Sequence, residues 1–260
     1  MLLAVDVGNT NISMGIMEGK QIRGSFRLIT KTERTSDELG IVVYDLLERA
    51  GLGPADIEAV VISSVVPKIM YTLNSCMKKY IGKRPLVISP DLETGIQLCS
   101  DNPKAVGADR IVDCAYAYHT HHRSCIVVDF GTATTFDYVN QDGEFRYTVI
   151  MPGLGISAAA LTSQTAKLPE IEIAKPDSIL GTNTISGMQA GVVYGDIGSV
   201  EYILKEMKKE LHDEDCYVIA TGGLGRVIAN ETDMIDEYDP DVAYKGIQII
   251  YELNKDKMKR

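Results

Sequence analysis

A short polar segment near the start of the sequence has the residue types that bind phosphate. It reads DVGNTN at positions 6–11 and follows a short apolar run. A tight turn with Gly8 at positive φ would point successive backbone N–H groups into one concavity, to which Thr10 and Asn11 add side-chain donors. Asp6 beside the turn is suited to hold Mg²⁺. We predict a phosphate-binding loop here, although a plain hairpin turn uses the same Gly-Asn chemistry.

A second segment in the middle of the chain repeats this pattern. It reads DFGTATT at 129–135 and also follows an apolar run. A turn does not require three threonines. The hydroxyls of Thr132, Thr134 and Thr135 are suited to donate hydrogen bonds to phosphate oxygens. Phosphoryl transfer mainly needs charge positioned around the γ-phosphate. Two such loops, one from each half of the chain, would hold a triphosphate between them.

A third candidate, GADR at 107–110, places a carboxylate in the first turn of a predicted helix. The helix dipole favours an anion at that position. In one interpretation Asp109 is the general base for an alcohol and Arg110 anchors an anionic substrate. In the other, Asp109 is only a capping carboxylate paired with Arg110. The helix end that keeps Asp109 ionised also weakens it as a base.

Two glycine-rich segments allow further interpretations. TGGLG at 221–225 follows a predicted strand, where small residues would let an adenine ring or ribose approach the backbone, or would permit close strand–helix packing. GLGISA at 153–158 matches the dinucleotide fingerprint, but it follows a hairpin rather than the first strand of a βαβ unit. The sequence has no Walker A motif and no Gly-x-Ser-x-Gly elbow. A dehydrogenase is therefore disfavoured.

The elements that must position these loops repeat along the chain. The two Asp-x-Gly segments begin at Asp6 and Asp129, which lie 123 residues apart, close to half the length. Each is followed by a predicted β-hairpin, 11–28 and 134–150, and then by alternating helices and strands. We predict an α/β fold of two duplicated domains with mixed sheets flanked by helices. The predicted boundary falls between 118 and 124.

Periodicity and end signals predict the elements behind the hairpins. Helices are expected at 36–51 with Ser36 as the cap, at 67–80, from Gly107 to about 118, at 184–211 as one helix or two joined near Gly195, and from the Asp239-Pro240 cap to about 254. Buried strands are expected at 58–63, 86–89 and 216–220.

Composition excludes several classes of protein. The 260 residues are 45% hydrophobic, which fits a globular protein, and the formal charge of −10 disfavours nucleic-acid binding. No apolar run approaches a membrane span, and the first one is too short for a signal peptide, so we expect a soluble cytoplasmic protein. Five cysteines without a CxxC pair predict reduced, mostly buried thiols. His119, His121 and His122 are predicted to form a polar loop after a helix rather than a metal site.

The order of the motifs resembles the type III pantothenate kinase family. DVGNTN, GADR, DFGTATTFD and TGG occur at 6–11, 107–110, 129–137 and 221–223, and the combination of the first three is highly specific. The similarity spans essentially the whole chain. This family belongs to the acetate and sugar kinase, heat-shock chaperone and actin superfamily. The resemblance therefore implies two ribonuclease-H-like domains, 1–118 and 119–260, with a nucleotide cleft between them.

The resemblance also implies an activity: ATP-dependent phosphorylation of the terminal hydroxyl of pantothenate, the first step of coenzyme A synthesis. It gives Asp109 the role of proton acceptor and Asp129 that of ligand to a monovalent cation, K⁺ or NH₄⁺. Residues implied to bind the ATP phosphates and Mg²⁺ are Asp6, Val7, Gly8, Asn9, Thr10, Asn11, Ile12 and Ser13, joined by Thr132 from the second loop. Residues implied to bind pantothenate are Gly107, Ala108, Asp109, Arg110 and Thr184. The family further implies a homodimer.

One departure from the family pattern leaves alternatives open. Ser100 stands where the family usually places a tyrosine, two residues before the Asn-Pro that precedes GADR. This position contributes the aromatic wall of the pantothenate pocket. A kinase for a different hydroxy acid is therefore one alternative, and an ATP-binding regulatory protein of the same fold is another.

Overall fold

The structure, a computed structural model, describes residues 1–258. The chain divides into two compact units. The first unit contains Met1–Thr120 and the segment from Asp241 onward, and the second contains His121–Pro240. The last helix, which the sequence analysis assigned to the second domain, lies in the first unit.

Strands and helices alternate along both units. The strands are β1 Leu2–Val7, β2 Asn11–Glu18, β3 Gln21–Ile29, β4 Ala59–Ser64, β5 Leu86–Val87, β6 Gln97–Leu98, β7 Cys125–Phe130, β8 Ala133–Val139, β9 Glu144–Pro152, β10 Tyr217–Thr221 and β11 Glu237–Tyr238. The α-helices are α1 Ser36–Arg49, α2 Met70–Cys76, α3 Ala108–His121, α4 Leu154–Ser163, α5 Thr184–Leu211, α6 Gly225–Ala229 and α7 Val242–Met258. A π-helical turn, Met77–Ile81, continues α2.

The two units contain sheets of the same topology. In the first unit the order is β3-β2-β1-β4-β5, and the second unit contains the matching order β9-β8-β7-β10-β11. The first three strands of each set are antiparallel neighbours and the last two run parallel to the central strand. Each hairpin also has a bulge at the same place, between Ile16 and Met17 and between Tyr138 and Val139. The predicted duplication and both predicted hairpins are confirmed.

The two faces of the first sheet pack against different helices. Because side chains alternate along a strand, Leu3, Val5 and Val7 of β1 point into one hydrophobic core. That core also contains buried residues of α1 and α2. Leu2, Ala4 and Asp6 therefore share the opposite face, against which α7 packs. The alternation thus places Asp6 on the side of the sheet that carries α7.

The second sheet follows the same rule. Ile126, Val128 and Phe130 of β7 pack with buried side chains of α4 and α5. Asp129 therefore lies on the opposite face of β7. Both central strands consist of buried apolar residues up to their aspartate, and this pattern made them recognisable in the sequence.

Two helix starts differ from the predictions. The N-cap of α1 is Thr35 rather than Ser36: the Thr35 hydroxyl accepts the N–H of Glu38 at 3.2 Å, and the Glu38 carboxylate accepts the N–H of Thr35 at 2.7 Å. This reciprocal pair is a capping box. Helix α7 begins at Val242, after the predicted Asp239-Pro240 cap. The Asp239 N–H donates to the carbonyl of Ala220 at 2.9 Å, so Asp239 is hydrogen-bonded to strand β10 of the second sheet.

The histidine segment is not a loop as predicted. His119 and His121 lie in the last turn of α3, because the helix continues through His121, and His122 then has a left-handed φ of 51°. Within residues 1–258, no group of three or more His, Cys, Asp or Glu side chains is arranged to hold a metal ion. The five cysteines are free thiols, four of them buried, as predicted. None of the helices in this part of the chain combines the length and apolar character of a membrane span.

Candidate active site

A row of polar side chains crosses the first sheet where β1 and β4 end. Asp6 pairs in register with Ser13 on β2 and with Ser63 on β4. Residues in register on adjacent strands point to the same face, so the three side chains stand side by side. The buried hydroxyl of Ser63 donates a hydrogen bond to Asp6 Oδ1 at 3.0 Å. This hydrogen bond holds one oxygen of the Asp6 carboxylate in place.

Asp109, in the first turn of α3, places a second negative charge beside Asp6. The pKa of Asp6 is raised to about 7, first because the carboxyl is removed from water and second because Asp109 repels its charge. The Ser63 hydrogen bond and a backbone hydrogen bond at Val7 act in the opposite direction. The negative charge of each carboxylate disfavours ionisation of the other. Such a pair is suited to bind a proton or a cation.

The backbone at Gly107 allows Asp109 to take this position. A Cβ at Gly107 would lie 2.4 Å from Asp109 Oδ1 and 3.2 Å from Val65 Cγ1, so a side chain there would displace the Asp109 carboxylate. Asp109 Oδ1 also accepts the backbone N–H of Arg110 at 2.8 Å. Asp109 therefore makes a hydrogen bond at the start of the helix, and its charge also acts on Asp6.

The first loop differs from its predicted conformation. Gly8 does not have a left-handed φ, and its N–H donates to the carbonyl of Asn11 at 3.0 Å. The loop therefore closes on itself as a hairpin turn, and Thr30 at the end of β3 holds it through hydrogen bonds to the carbonyls of Thr10 (2.9 Å) and Gly8 (2.8 Å). The tip of the loop, Asn9 to Asn11, is exposed.

Two of the residues implied to bind phosphate can contribute only backbone groups. The side chains of Val7 and Ile12 are buried in the core between the first sheet and its helices α1 and α2. Their position follows from strand alternation, which also sends Asp6 and Ser13 to the other face. The spacing of the motif in the sequence did not show that Val7 and Ile12 point to the core while Asp6 and Ser13 point to the opposite face.

A matching row crosses the second sheet. Asp129 pairs in register with Thr135 on β8 and with Thr221 on β10. Of the three threonines expected to bind phosphate, Thr134 is fully buried on the side of Phe136, because alternation turns it towards the core. Thr132 is exposed at the loop tip. The second loop therefore has fewer phosphate-binding hydroxyls than its sequence indicates.

Two glycines let backbone segments approach Asp129 closely, and a third lies against the loop that follows it. A Cβ at Gly131 would lie 3.1 Å from Asp129 Oδ2, and one at Gly222, where φ is 95°, would lie 2.6 Å from Oδ1. A Cβ at Gly153, the N-cap of α4, would lie 2.6 Å from the carbonyl oxygens of Gly131 and Thr132. Gly222 and Gly153 thus serve close packing around the second loop. This packing is the structural reason for a glycine at each of these two positions.

The remaining predicted residue, Thr184, is the first residue of α5 and is exposed. Asn183 caps the helix, its side chain accepting the N–H of Ser186 at 3.0 Å. A Cβ at Gly181 would lie 2.4 Å from the backbone nitrogen of Gly187, so the segment before α5 packs onto its first turn. Helix α5 is a single helix of 28 residues.

Two side chains at the first row, Ser63 and Tyr244, were not predicted from the sequence. Ser63 was detectable, because it ends a buried strand and the ends of parallel strands meet at one edge of a sheet. Tyr244, on α7, had no local signal. Its ring lies over Gly15, where a Cβ would come within 2.7 Å of Tyr244 Cγ, and its hydroxyl shares a hydrogen bond with Ser13.

The fold and these sites define a class of protein. The two sheets share an order of five strands, each with an aspartate at the fifth position of its central strand, and they form a duplicated mixed α/β fold flanked by helices. The chain belongs to the type III pantothenate kinase family, whose profile matches residues 2–206. This assignment rests on the whole length of two curated relatives as well as on the profile.

Both relatives are named type III pantothenate kinase. That of Agathobacter rectalis is 51% identical over 251 residues, covering 96% of each chain, and that of Bifidobacterium longum is 47% identical over 254 residues, covering 98% of this chain and 99% of the relative. A solved structure described as a Baf family transcriptional activator from Campylobacter jejuni has a TM-score of 0.60 at 18% identity. It covers 98% of this chain and 99% of its own, and it supports the fold alone.

Proposed function

We propose that this protein transfers the γ-phosphoryl group of ATP to the terminal hydroxyl of pantothenate, the first step of coenzyme A biosynthesis. The observation that carries the proposal is the facing pair Asp6 and Asp109 in a member of the type III pantothenate kinase family. A cation-binding carboxylate beside a proton-accepting carboxylate is the arrangement that phosphorylation of an alcohol requires.

Asp6 fits a role for Mg²⁺ in the first unit. Mg²⁺ prefers oxygen ligands and is usually bound by one or two carboxylates together with substrate phosphates. When bound, Mg²⁺ would neutralise charge on the phosphates. The polar tip of the first loop, Asn9 to Asn11, would bind phosphate oxygens beside it.

Asp109 would accept the proton of the attacking alcohol. The hydroxyl oxygen forms a bond to the γ-phosphorus, the bond from that phosphorus to the β–γ bridging oxygen breaks, and the hydroxyl proton moves to Asp109. The N-terminus of α3 favours the ionised carboxylate that must receive it. Arg110, next in the chain, would pair with the carboxylate of pantothenate. Gly107 and Ala108 would line the same pocket, because Gly107 leaves no side chain between the substrate and Asp109.

Asp129 would ligate a monovalent cation, K⁺ or NH₄⁺. Asp129 pairs in register with Thr135 and Thr221, and the backbone at Gly222 lies close to its carboxylate, so oxygen donors that suit such a cation stand on neighbouring strands. Thr132 at the tip of the second loop would bind a phosphate oxygen. We further propose that Thr184 contacts pantothenate and that the enzyme is a cytoplasmic homodimer.

A direct assay tests the proposal. Purified protein is incubated with ATP, Mg²⁺, K⁺ and pantothenate, and 4′-phosphopantothenate is detected by mass spectrometry alongside ADP. A panel of other short hydroxy acids and sugars is run in parallel. Formation of phosphopantothenate supports the proposal. Binding of ATP without turnover of any substrate indicates a regulatory protein, and turnover of another acid alone indicates a different substrate; either result overturns it.

A further inference from the structure

Strand β3 carries an arginine that stands in the same row as Asp6. Arg27 pairs in register with Ser13 on β2, which in turn pairs with Asp6 on β1. Because residues in register on adjacent strands share a face, the row contains Arg27, Ser13, Asp6 and Ser63 on four neighbouring strands. With strands roughly 4.8 Å apart, the backbone of Arg27 lies about 10 Å from that of Asp6.

The guanidinium of Arg27 has no anion bound to it. The side chain is exposed, and among residues 1–258 it forms neither an ion pair nor a hydrogen bond. Arg23, four residues earlier on the same strand, is paired with Glu18. The chain has 36 acidic and only 26 basic side chains, so carboxylates are not scarce. An arginine without a carboxylate partner is available to bind the anionic group of a ligand.

Tyr244 indicates on which side of β3 this charge lies. Its ring covers Gly15, two residues after Ser13 and on the same face of β2, where a Cβ would come within 2.7 Å of Tyr244 Cγ. Burial raises the pKa of Tyr244, and the charge of Arg27 is the largest of the effects that oppose it. Such an effect weakens with distance and is screened by water. The positive charge of Arg27 therefore lies on the face of the sheet that carries Asp6.

The end of β3 is also attached to the first loop. Thr30 follows the strand and hydrogen-bonds to the carbonyls of Thr10 (2.9 Å) and Gly8 (2.8 Å). Arg27 lies only three residues before Thr30, and Asp6 lies two residues before Gly8. The arginine, the loop and the aspartate are therefore held at one end of the first sheet.

We propose that Arg27 binds the polyphosphate of the nucleotide, on the side of the row opposite Ser63, while Asp6 serves the bound Mg²⁺. The inference rests on the proposed role of Asp6 in binding Mg²⁺ and phosphate. The planar guanidinium donates two parallel N–H bonds to phosphate oxygens, and its fixed charge offsets theirs. The proposal adds β3 to the elements that form the nucleotide site.

Arg23 is a matched control for Arg27. Strand β3 is the edge strand of the first sheet, and charged side chains on an edge strand discourage pairing with other chains. Both arginines are exposed on β3, so that role applies to both. They differ in position, because Arg23 lies near the hairpin turn beside Glu18, about 13 Å along the strand from Arg27. Only Arg27 is in the row of Asp6.

The test compares Arg27→Gln, Arg27→Lys and Arg23→Gln in the full-length protein. Calorimetry measures the affinity for Mg²⁺-ADP, kinetics give the KM values for ATP and pantothenate, and thermal unfolding reports stability. We expect Arg27→Gln to weaken Mg²⁺-ADP binding and raise the KM for ATP by roughly ten- to a hundredfold, as for loss of a hydrogen bond between charged groups, with the KM for pantothenate unchanged.

The two other variants refine the test. Arg27→Lys should bind Mg²⁺-ADP with intermediate affinity, because lysine keeps the charge but cannot donate two parallel bonds. Arg23→Gln should bind it within twofold of the wild type, and all three variants should unfold at the wild-type temperature.

Three results would overturn the inference: wild-type affinity for Mg²⁺-ADP in Arg27→Gln, an equal loss in Arg23→Gln, or a raised KM for pantothenate alone, which would place Arg27 at the acid substrate. Failure of the proposed function is distinguishable. Mg²⁺-ADP affinity is measured without turnover, so a wild-type protein that binds Mg²⁺-ADP but does not phosphorylate pantothenate would refute the function and still show whether Arg27 binds the nucleotide.

Discussion

Asp6 and Asp129 occupy the same position in their respective sheets, each being the fifth residue of a six-residue central strand. Each is flanked in register by two hydroxyl side chains, serines in the first sheet and threonines in the second. The loops that follow differ by one residue, since Val7 pairs with Ile12 but Phe130 pairs with Thr134. The two sheets therefore share the carboxylate and its hydroxyl neighbours, while the loops that follow differ in length.

The proposed proton acceptor is tested by Asp109→Asn. The amide keeps the shape of the carboxylate and can still accept the N–H of Arg110, but it cannot take a proton from the alcohol. We expect kcat for phosphopantothenate formation to fall by about 10²–10⁴-fold, the usual contribution of general base catalysis. Calorimetry with Mg²⁺-ADP should show that nucleotide binding is retained.

Asp101→Asn is the matched control for this substitution. Asp101 is exposed and lies eight residues before Asp109 in the same unit, so its neutralisation changes the net charge equally. We expect kcat within twofold of the wild-type value. Unchanged turnover in Asp109→Asn would remove Asp109 from the mechanism.

Nucleotide binding should depend on pH through Asp6. Its pKa of about 7 means that the carboxyl is mostly protonated at pH 6 and mostly ionised at pH 8. Because Mg²⁺ binds the ionised form, affinity for Mg²⁺-ADP should rise with pH and level off above pH 7, by at most about tenfold per unit below it. Calorimetry between pH 6 and 8.5 measures this dependence.

Asp109→Asn separates this effect from the titration of the nucleotide itself. Repulsion by Asp109 is the second cause of the raised pKa of Asp6, after burial. Its removal should move the transition to lower pH, while the phosphate of ADP titrates as before. Identical pH profiles for the wild type and Asp109→Asn would contradict the assignment of the transition to Asp6.

The monovalent cation site is tested by Asp129→Ala. Loss of the carboxylate removes the only charged donor among the residues proposed for the cation, so activity should no longer respond to K⁺. Initial rates are measured from zero to saturating K⁺ at constant ionic strength. Asp142→Ala, in the exposed hairpin turn of the same unit, should retain the wild-type response. A K⁺ response that persists in Asp129→Ala would place the cation elsewhere.

Much of the architecture was accessible from local patterns. Contiguous residues carry the signals that predict the duplicated topology, namely apolar runs that end in Asp-x-Gly and glycines at the hairpin turns. The prediction of α5 likewise depends on contiguous residues. Alternation along β8 would also have shown that Thr134 shares a face with Phe136 and is therefore buried. Counting hydroxyls without regard to the strand period led to the wrong expectation for Thr134.

Other features depend on distant parts of the chain. Tyr244 reaches Ser13 only because the chain returns to the first sheet after the second unit, and no residue near either one signals that contact. Gly8 was expected to be left-handed, but the hydrogen bonds from Thr30 to its loop select an ordinary hairpin turn instead. Tertiary contacts of this kind override the preference of a single residue.

The capping box of α1 gives a stability test at the point where Ser36 was predicted as the cap. Thr35→Ala removes the hydroxyl that accepts the Glu38 N–H, and it should lower the free energy of unfolding by about 1 kcal/mol. Ser36→Ala, one residue later inside the helix, should have little effect or stabilise slightly, because alanine is the better helix former. Urea denaturation measures both. A larger loss of stability for Ser36→Ala than for Thr35→Ala would indicate that Ser36 is the N-cap of α1.

A buried carboxyl on α5 makes stability depend on pH. Asp196 is 6% exposed among apolar neighbours, and its Oδ2 has no hydrogen-bond partner among the described residues. Burial raises its pKa from 3.8 to about 6. The folded state therefore holds a proton that the unfolded chain releases, so this contribution to stability is full below about pH 4 and is lost as the pH rises through 6.

Asp196→Asn removes that titration while keeping the shape of the side chain. Relative to the wild type, the variant should gain stability as the pH rises from 4 to 6 and keep a constant gain above that, at most about 3 kcal/mol for a shift of roughly two pKa units. The difference between the two urea midpoints at each pH isolates Asp196, because every other carboxyl titrates equally in both proteins. A difference that is the same at pH 4 and pH 8 would mean that burial does not raise the pKa of Asp196 in the folded state.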